Sequence, residues 1–257
     1  MATGNDDHTA SVWDASSGRE LLTLMGHRNL VEAVSWSPDG KHLATGAWDG
    51  TTKIWDMSNG RELMTLSRRG PVLCVAWSPS GTLLATGNER TAEVWDASSG
   101  RQLLTLGSNT GVRSMAWSPD GKYLITGGYG GTASVWDAVS GRELLTLPQG
   151  VNSVSWSPDG KRLASDGPTI WGAKDGHRLF DLYGRTNSAN DVAWSPDGKR
   201  LAALSADGIV QVYTMDIRDL MDLAREHVRA LTSEQSKECK KYFQVEECPS
   251  VPNLSWW

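Results

Sequence analysis

The chain has 257 residues and a formal net charge of −5. This length allows one large repeat domain with a short appendage, and the acidic balance excludes a general electrostatic attraction to nucleic acid or anionic lipid. The start, MATGNDDHTASV, lacks the charged segment and apolar run of a signal peptide, and no apolar run is long enough to span a bilayer. These features predict a cytoplasmic protein that binds neither nucleic acid nor membrane.

Two columns of tryptophan divide the chain into units. The motif WSPDG begins at residues 36, 117, 156 and 194, and WSPSG begins at 77. A second column, in SVWD, KIWD, EVWD, SVWD and TIWG, places tryptophan at 13, 55, 95, 136 and 171. A period of about forty residues is typical of repeat architectures, in which each unit buries its apolar face against its neighbours.

One unit, residues 32–66, shows the predicted elements in chain order. EAVSW is rich in β-branched and aromatic residues and predicts a strand. SPDG then suits a tight turn, because proline presets φ and glycine accepts a positive φ. KHLATG, TTKIWD and RELMTL predict three more short strands, separated by the turns AWDG and MSNG. Four short strands joined by tight turns predict an antiparallel meander.

The period, the four strands and the WD dipeptide that closes the third strand resemble the WD40 family of β-propellers. The resemblance covers about residues 2–215. It implies an all-β fold of about five to six four-stranded antiparallel blades, with the first and last incomplete, and a short C-terminal α-helical tail follows. The WD dipeptide is intact at residues 13, 55, 95 and 136, whereas the fifth unit has Trp171-Gly172 and the last has Tyr213.

We therefore divide the chain into a WD40 β-propeller, 1–215, and a helical tail, 216–257. The expected blades are a partial blade over 1–24, full blades over about 30–66, 72–106, 112–147 and 151–182, and a last blade over about 190–215. This division gives 22 strands, because the first blade lacks its first strand and the last lacks its fourth. Open blade edges predict self-association, a fragment of a longer propeller, or imperfect closure with six blades.

The resemblance also implies a hydrogen-bonded set within a blade. A histidine, a strand threonine, a turn aspartate and the WD tryptophan match it fully in one unit, at His27, Thr45, Asp49 and Trp55. A buried indole N–H needs an acceptor, so such a set fixes the register of the strands. The other units lack the histidine or the aspartate, and we expect packing to hold those blades.

Residues that break the repeat are the candidates for partner binding. The resemblance implies that the loops between second and third strands, and those leading into first strands, share one face of the propeller. Aromatic residues and arginines are frequent in interaction hot spots; alternatively, Trp48 shields a turn and the arginines are solvated. The candidates are Trp48, Tyr129, Arg28, Arg68, Arg69, Glu89, Arg90, Arg113 and Arg185, with Asn88, Asn109 and Asn187 beside them.

No catalytic or cofactor motif is present. The chain has no GxxxxGK[ST], GxSxG, HExxH or CxxC, and its five histidines are scattered without metal-ligand spacing. The glycine-rich stretch 127–131 lies between two predicted strands and is explained as a turn. We therefore expect no cofactor, no metal and no enzymatic activity; the alternative is an enzyme propeller with its active site at the central channel.

The tail differs from the repeats. DIRDLMDLAREHVRAL has apolar residues at helical spacing, and Thr232 with Gln235 predicts a capping box for a second helix. The first helix could dock on a membrane or a partner, but we favour packing against the propeller. Cys239 and Cys248 could pair, but a reducing compartment disfavours this. ALTSEQSKECKKYFQVEECP resembles the ends of bacterial WD-repeat proteins, often the sensor regions of large signalling NTPases or kinases.

Three functional classes follow from these features. The leading hypothesis is a binding scaffold, or the sensor module of a longer signalling protein, that binds a protein or peptide partner and performs no chemistry. The second is an enzyme propeller. The third is a periplasmic propeller of the TolB-like type, which also carries WSPDG; the WD dipeptides and the missing signal peptide disfavour it.

Overall fold

The chain folds entirely into β-strands over the part that can be described. The computed structural model describes residues 1–107, 111–128, 132–148, 151–167, 169–182, 189–205 and 207–216. Every regular element in these ranges is a strand, and sequential strands pair antiparallel. The predicted all-β class is confirmed. The predicted helical tail, 216–257, lies outside the described residues except for residue 216.

In the described ranges, twenty-two strands form six sheets, each made of consecutive strands. The first sheet contains β1 (Ala2–Gly4), β2 (Thr9–Trp13) and β3 (Glu20–Met25). The second contains β4 (Val31–Trp36), β5 (His42–Ala47), β6 (Thr51–Asp56) and β7 (Arg61–Ser67). The third contains β8 (Cys74–Trp77), β9 (Leu83–Gly87), β10 (Thr91–Asp96) and β11 (Gln102–Gly107).

The remaining three sheets continue the same order. The fourth contains β12 (Ser114–Trp117), β13 (Tyr123–Gly127), β14 (Ala133–Asp137) and β15 (Glu143–Leu147). The fifth contains β16 (Val154–Trp156), β17 (Arg162–Ser165), β18 (Thr169–Gly172) and β19 (Arg178–Asp181). The sixth contains β20 (Ala189–Trp194), β21 (Arg200–Ser205) and β22 (Val210–Thr214). The described part of the chain thus contains 22 strands.

The SPDG turn is held by its own side chains. Ser37 Oγ donates to Asp39 Oδ1 at 2.6 Å, and the same carboxylate accepts from the amide of Lys41 at 3.0 Å. Gly40 has a φ of +68°, a conformation that disfavours side chains with a Cβ. The Ser–Asp contact recurs at Ser118–Asp120, Ser157–Asp159 and Ser195–Asp197. The motif is therefore explained by turn geometry.

The aspartate of the WD dipeptide serves the next turn. In the third sheet, Asp96 Oδ1 accepts from the amides of Ser98 and Ser99, at 3.1 and 2.8 Å. Hydrogen bonds from the serines at 98 and 99 lower the pKa of Asp96 to about 2. The tryptophan immediately before it sits at a register shift between third and fourth strands, and this shift recurs in each of the first five sheets. Such a bulge increases the local twist of the sheet.

The hydrophobic core lies between the sheets. Leu84 and Trp95 of the third sheet pack with Ala44, Ile54 and Leu66 of the second. Four comparable clusters join the first sheet to the second, the third to the fourth, the fourth to the fifth, and the fifth to the sixth. Each sheet thus buries its faces against its neighbours, as the repeat period predicts.

A side-chain contact recurs at the joints between sheets. The residue at the start of the second strand lies against the WSPDG or WSPSG tryptophan of the following sheet. His42 stacks on Trp77 and Tyr123 stacks on Trp156, both with ring centroids 6.4 Å apart, and the Arg162 guanidinium lies 5.0 Å from the ring centre of Trp194. These contacts fix the position of one sheet on the next.

The first and last sheets have three strands among the described residues. Alignment of the repeats shows that the first lacks the innermost strand and the last lacks the outermost. The first strands of successive sheets contact one another from β4 to β20, and β1 contacts β4. Within the described ranges, the first and last sheets thus have one strand fewer than the other four, and the prediction of open edges stays a prediction.

Candidate interaction face

Antiparallel order places two kinds of loop at the same end of every sheet. In the second sheet, β4 and β6 run in one direction and β5 and β7 in the other. The loop between β5 and β6 therefore lies at the same end as the connections that enter β4 and leave β7. We call this end the His27 face. The SPDG and WD turns lie at the opposite end, which we call the turn face.

The predicted hydrogen-bonded set is assembled in the second sheet. His27 Nε2 lies 2.7 Å from Thr45 Oγ1, and His27 Nδ1 lies 3.1 Å from Asp49 Oδ2. The indole Nε1 of Trp55 donates to the same Thr45 oxygen at 2.8 Å. Asp49 Oδ2 also accepts from the amide of Arg28 at 2.7 Å. The set thus connects the buried WD tryptophan to the loop that carries Arg28.

Burial controls the charge of this set. Desolvation lowers the pKa of His27 below its ordinary value, although the hydrogen bond to Asp49 opposes the shift. For Asp49, burial would raise the pKa, but hydrogen bonds from Thr51 and from the amide of Arg28 outweigh it and hold the pKa below the ordinary value. The set therefore combines a neutral imidazole with an ionised carboxylate near neutral pH.

Part of the set is present in the other sheets. The WD tryptophan donates its indole N–H to a hydroxyl of the second strand in each of the first five sheets. The further pairs, at 2.9 to 3.0 Å, are Trp13–Thr3, Trp95–Thr86, Trp136–Thr126 and Trp171–Ser165. The expectation that packing holds these blades is therefore incomplete, because the first, third, fourth and fifth sheets each keep one indole hydrogen bond, which is part-buried in the first and buried in the other three.

The third sheet contains an ion pair where the second has its histidine. Counting back from the WSP tryptophan of each unit, Arg68 occupies the position of His27. Its guanidinium pairs with Glu93, whose side chain is fully buried. Glu93 also accepts from Thr91 at 2.5 Å and from Thr86 at 3.4 Å. Burial lowers the pKa of Arg68 below its ordinary value. Glu93 is not among the residues predicted from the sequence, because it is fully buried and lies 25 positions from Arg68 in the chain.

A pocket of about 400 Å³ lies on the His27 face beside this ion pair. Its walls are the connection Arg68–Pro71 and the loop Asn88–Thr91. Asn88 is buried, and its Oδ1 accepts from the amides of Arg90 and Thr91 at 2.7 and 2.9 Å. These hydrogen bonds fix the loop that carries Arg90.

Trp48 is the large aromatic side chain of this face. Its side chain is 44% exposed, and the indole Nε1 donates to Glu32 Oε2 at 3.2 Å. Its amide donates to the carbonyl of Leu30 at 3.0 Å. The loop backbone is therefore anchored, and a face of the indole remains in solvent.

The structure locates most of the other predicted binding residues. Arg28, Arg69, Glu89, Arg90 and Arg113 are exposed on loops of the His27 face, and Asn88 is buried. Arg68 is half-buried on Glu93. Tyr129 and Arg185, with Asn109 and Asn187, lie outside the described residues. The described candidates lie on five connections at this end of the second, third and fourth sheets, and their role in binding stays a prediction.

Two further clefts open toward the turn face. One, of about 810 Å³, lies between the second and third sheets and includes Leu63, Met64 and Trp77. The other, of about 510 Å³, lies between the fourth and fifth sheets and includes Leu144 and Trp156. Each cleft is lined by a leucine of an outer strand and by a tryptophan that takes part in the contacts between sheets. Sequence reasoning missed them because they form only when two sheets pack.

The described residues hold no group of three or more His, Cys, Asp or Glu side chains that could bind a metal ion. In the same part of the chain, no helix is long and apolar enough to cross a membrane. Cys74 is buried, and burial raises the pKa of its thiol far above the ordinary value.

Comparison with known families identifies the architecture. Residues 1–167 match the model of the first β-propeller of IFT122, and residues 176–214 match the WD domain, G-beta repeat. The chain belongs to the WD40-repeat β-propeller family. Curated WD40 relatives match over single units. Ribosome assembly protein 4 of Chaetomium thermophilum is 56% identical over 43 residues, which are 17% of this chain and 8% of the relative. Coronin-7 of Mus musculus is 43% identical over 44 residues, 17% of this chain and 5% of the relative.

The WD40 fold is also similar to a solved structure. A chain in the crystal structure of the mitotic checkpoint complex superposes with a TM-score of 0.76 and 25% sequence identity. The match covers 83% of this chain and 70% of that chain. The curated relatives therefore share one unit, whereas the structural match extends over most of this chain.

Proposed function

We propose that this WD40 chain is a non-catalytic scaffold that binds a protein or peptide partner on the His27 face. The observation that carries the proposal is the exposed indole of Trp48 on a loop with anchored ends. Aromatic side chains held on fixed backbone lose little conformational entropy on binding. The structurally similar chain comes from a protein complex, which supports an interaction role.

The neighbouring loops add charged groups of both signs to this surface. Arg28, Arg69 and Arg90 are exposed, and Glu89 lies beside Arg90. The repeated motifs explain the turn face by turn geometry, whereas these residues differ from unit to unit. Variable residues on a constant framework are where repeat proteins acquire their specificity.

A photo-crosslinking residue in place of Trp48 tests this function. The matched control carries the same residue in place of Val139, which is 87% exposed on a WD turn of the turn face. We expect one protein to be crosslinked from position 48 and not from position 139, and to bind the purified chain with saturable affinity. Equal crosslinking from both positions, or no saturable binding, would contradict the proposal.

The more specific functional hypotheses rest on the sequence alone. The tail segment that resembles sensor regions of bacterial signalling NTPases or kinases lies outside the described residues, and the relatives named above are eukaryotic. A sensor role in a longer signalling protein therefore stays a prediction, as does a cytoplasmic location. An enzyme propeller would need a catalytic set at the channel, and turnover of a substrate by the purified chain would establish it.

A further inference from the structure

We propose that the pocket between Arg68–Pro71 and Asn88–Thr91 binds an acidic segment of the partner, through the guanidinium groups of Arg69 and Arg90. This inference rests on the proposed function and adds the chemistry of the partner. The pocket volume of about 400 Å³ is sufficient for one or two carboxylate side chains of an extended peptide.

The three arginines of the pocket are not equivalent. Arg68 is paired with Glu93, and its side chain is mostly buried. The Arg68–Glu93 pair carries no net charge. The net charge of the pocket therefore comes from the exposed residues at its rim. Arg68 therefore forms part of the floor and is not the anion-binding group.

Arg69 and Arg90 form the charged rim. Both are exposed, and neither has an ion pair or a side-chain hydrogen bond with any residue in the described part of the chain. A guanidinium presents several N–H donors in a planar fork that matches a carboxylate. Two such groups on opposite walls favour a ligand with carboxylates on neighbouring residues.

The walls are fixed before a ligand arrives. The amide of Arg68 donates to the carbonyl of Gly50 at 3.1 Å, and the amide of Val72 donates to Ala47 at 3.0 Å. The opposite wall is held by Asn88, as described above. A pocket with fixed walls loses little conformational entropy when an extended peptide binds.

Glu89 is the opposing charge at this rim. It is exposed between Asn88 and Arg90 and has no ion pair among the described residues. A carboxylate here repels an acidic ligand and would attract a basic one. Its substitution therefore reports the sign of the ligand's charge.

The test uses a fluorescein-labelled peptide with four consecutive glutamates, a glutamine version as its neutral counterpart, and inorganic phosphate as a competitor. We expect the glutamate peptide to bind and the glutamine peptide to bind at least about tenfold more weakly. Combined Arg69→Ala and Arg90→Ala substitutions should weaken the glutamate peptide about tenfold, and Glu89→Gln should tighten it about threefold.

The matched control is the double variant Arg101→Ala and Arg142→Ala, which removes the same charge from exposed turns of the turn face. It should change the dissociation constant less than about twofold, because screening limits interactions over that distance. The inference is overturned if this control weakens binding as much as the pocket variant, if Glu89→Gln weakens binding, or if the wild type does not distinguish the two peptides.

Inorganic phosphate separates a peptide site from a site for small anions. We expect phosphate to weaken binding of the glutamate peptide only as much as a neutral salt of the same ionic strength does. Full displacement of the peptide at low millimolar phosphate would overturn the inference that the ligand is a peptide. Failure of the glutamate peptide together with specific crosslinking from position 48 would remove this inference and leave the proposed function standing. Failure of both would remove the proposed function as well.

Discussion

Arg68 contacts Glu93 in the third sheet at the position where the second sheet brings His27 to Asp49. The acidic partners lie at different positions. Asp49 lies in the loop before the third strand of its sheet, whereas Glu93 lies on the third strand itself, because the corresponding loop of the third sheet has no aspartate. In both sheets the contact lies next to the threonine that accepts the indole N–H of the WD tryptophan. One unit thus carries a neutral imidazole and the next a buried ion pair.

The Arg68–Glu93 pair should be stabilising only while both partners are present. Arg68→Ala leaves the fully buried carboxylate of Glu93 without its charge partner and should lower the free energy of unfolding by about 3 kcal/mol. Arg68→Met combined with Glu93→Leu should recover most of that loss. Urea denaturation of Arg68→Met, Glu93→Leu and the double variant measures the coupling. Additive effects would show that the two side chains do not interact.

Thr45 Oγ1 is hydrogen-bonded both to His27 Nε2 and to the indole N–H of Trp55, whereas Thr126 accepts from Trp136 alone among the described residues. Thr45→Val should therefore cost about 2 to 3 kcal/mol, because it leaves both the imidazole and the indole of the second sheet without this partner. Thr126→Val, the matched control, should cost about 1 kcal/mol. Chemical denaturation followed by tryptophan fluorescence compares them. Equal losses would mean that His27 contributes nothing through Thr45.

The buried imidazole predicts a loss of stability in mild acid. Because the pKa of His27 is lowered in the folded protein, the unfolded chain binds a proton first as the pH falls below the ordinary value of 6.5. The stabilising contribution of the neutral ring is complete above that pH. It is lost progressively as the pH falls, and the loss ends when the ring of the folded protein is protonated as well. The free energy of unfolding should therefore fall between pH 7.5 and pH 5, and less steeply in His27→Gln. An unchanged slope in that variant would assign the loss to other groups.

His8 and Gly50 occupy the same position of their loops, with φ of +74° and +79°. His8→Gly should raise the free energy of unfolding by about 0.5 to 1 kcal/mol, because it relieves a left-handed conformation at an exposed site. Gly50→Ala should act in the opposite direction, since its Cβ would lie 2.8 Å from the carbonyl oxygen of Arg68. Thermal melting of both variants tests the pair, and a destabilised His8→Gly would contradict this reading.

The repeats predicted the strands and turns because each element carries its own local signal. The SPDG and WD turns are closed by side chains within a few residues, as at Ser37 and Asp39. The set of His27, Thr45, Asp49 and Trp55 was also accessible, since one unit holds the whole pattern. Local signals therefore account for the class, the strand order and one polar set.

The remaining features depend on contacts between units, which the spacing of motifs does not describe. Glu93 occupies a strand position where the other units have Ser11, Lys53, Ser134, Thr169 or Gln211, and only folding brings it beneath Arg68. The clefts at Leu63 and Leu144 likewise need two sheets in contact. Among the rim residues, the sequence could not separate Arg68, which is paired with Glu93 inside the sheet, from Arg69, which is exposed at the surface.

The same arrangement recurs at three joints between sheets, although the residue that packs on the tryptophan differs. The pairs are His42 with Trp77, Tyr123 with Trp156 and Arg162 with Trp194. A gene segment copied or deleted in register would bring together two surfaces that already fit. Growth and shrinkage of such an array by recombination would then need no new packing solution, and evolution could alter the loops of each copy independently.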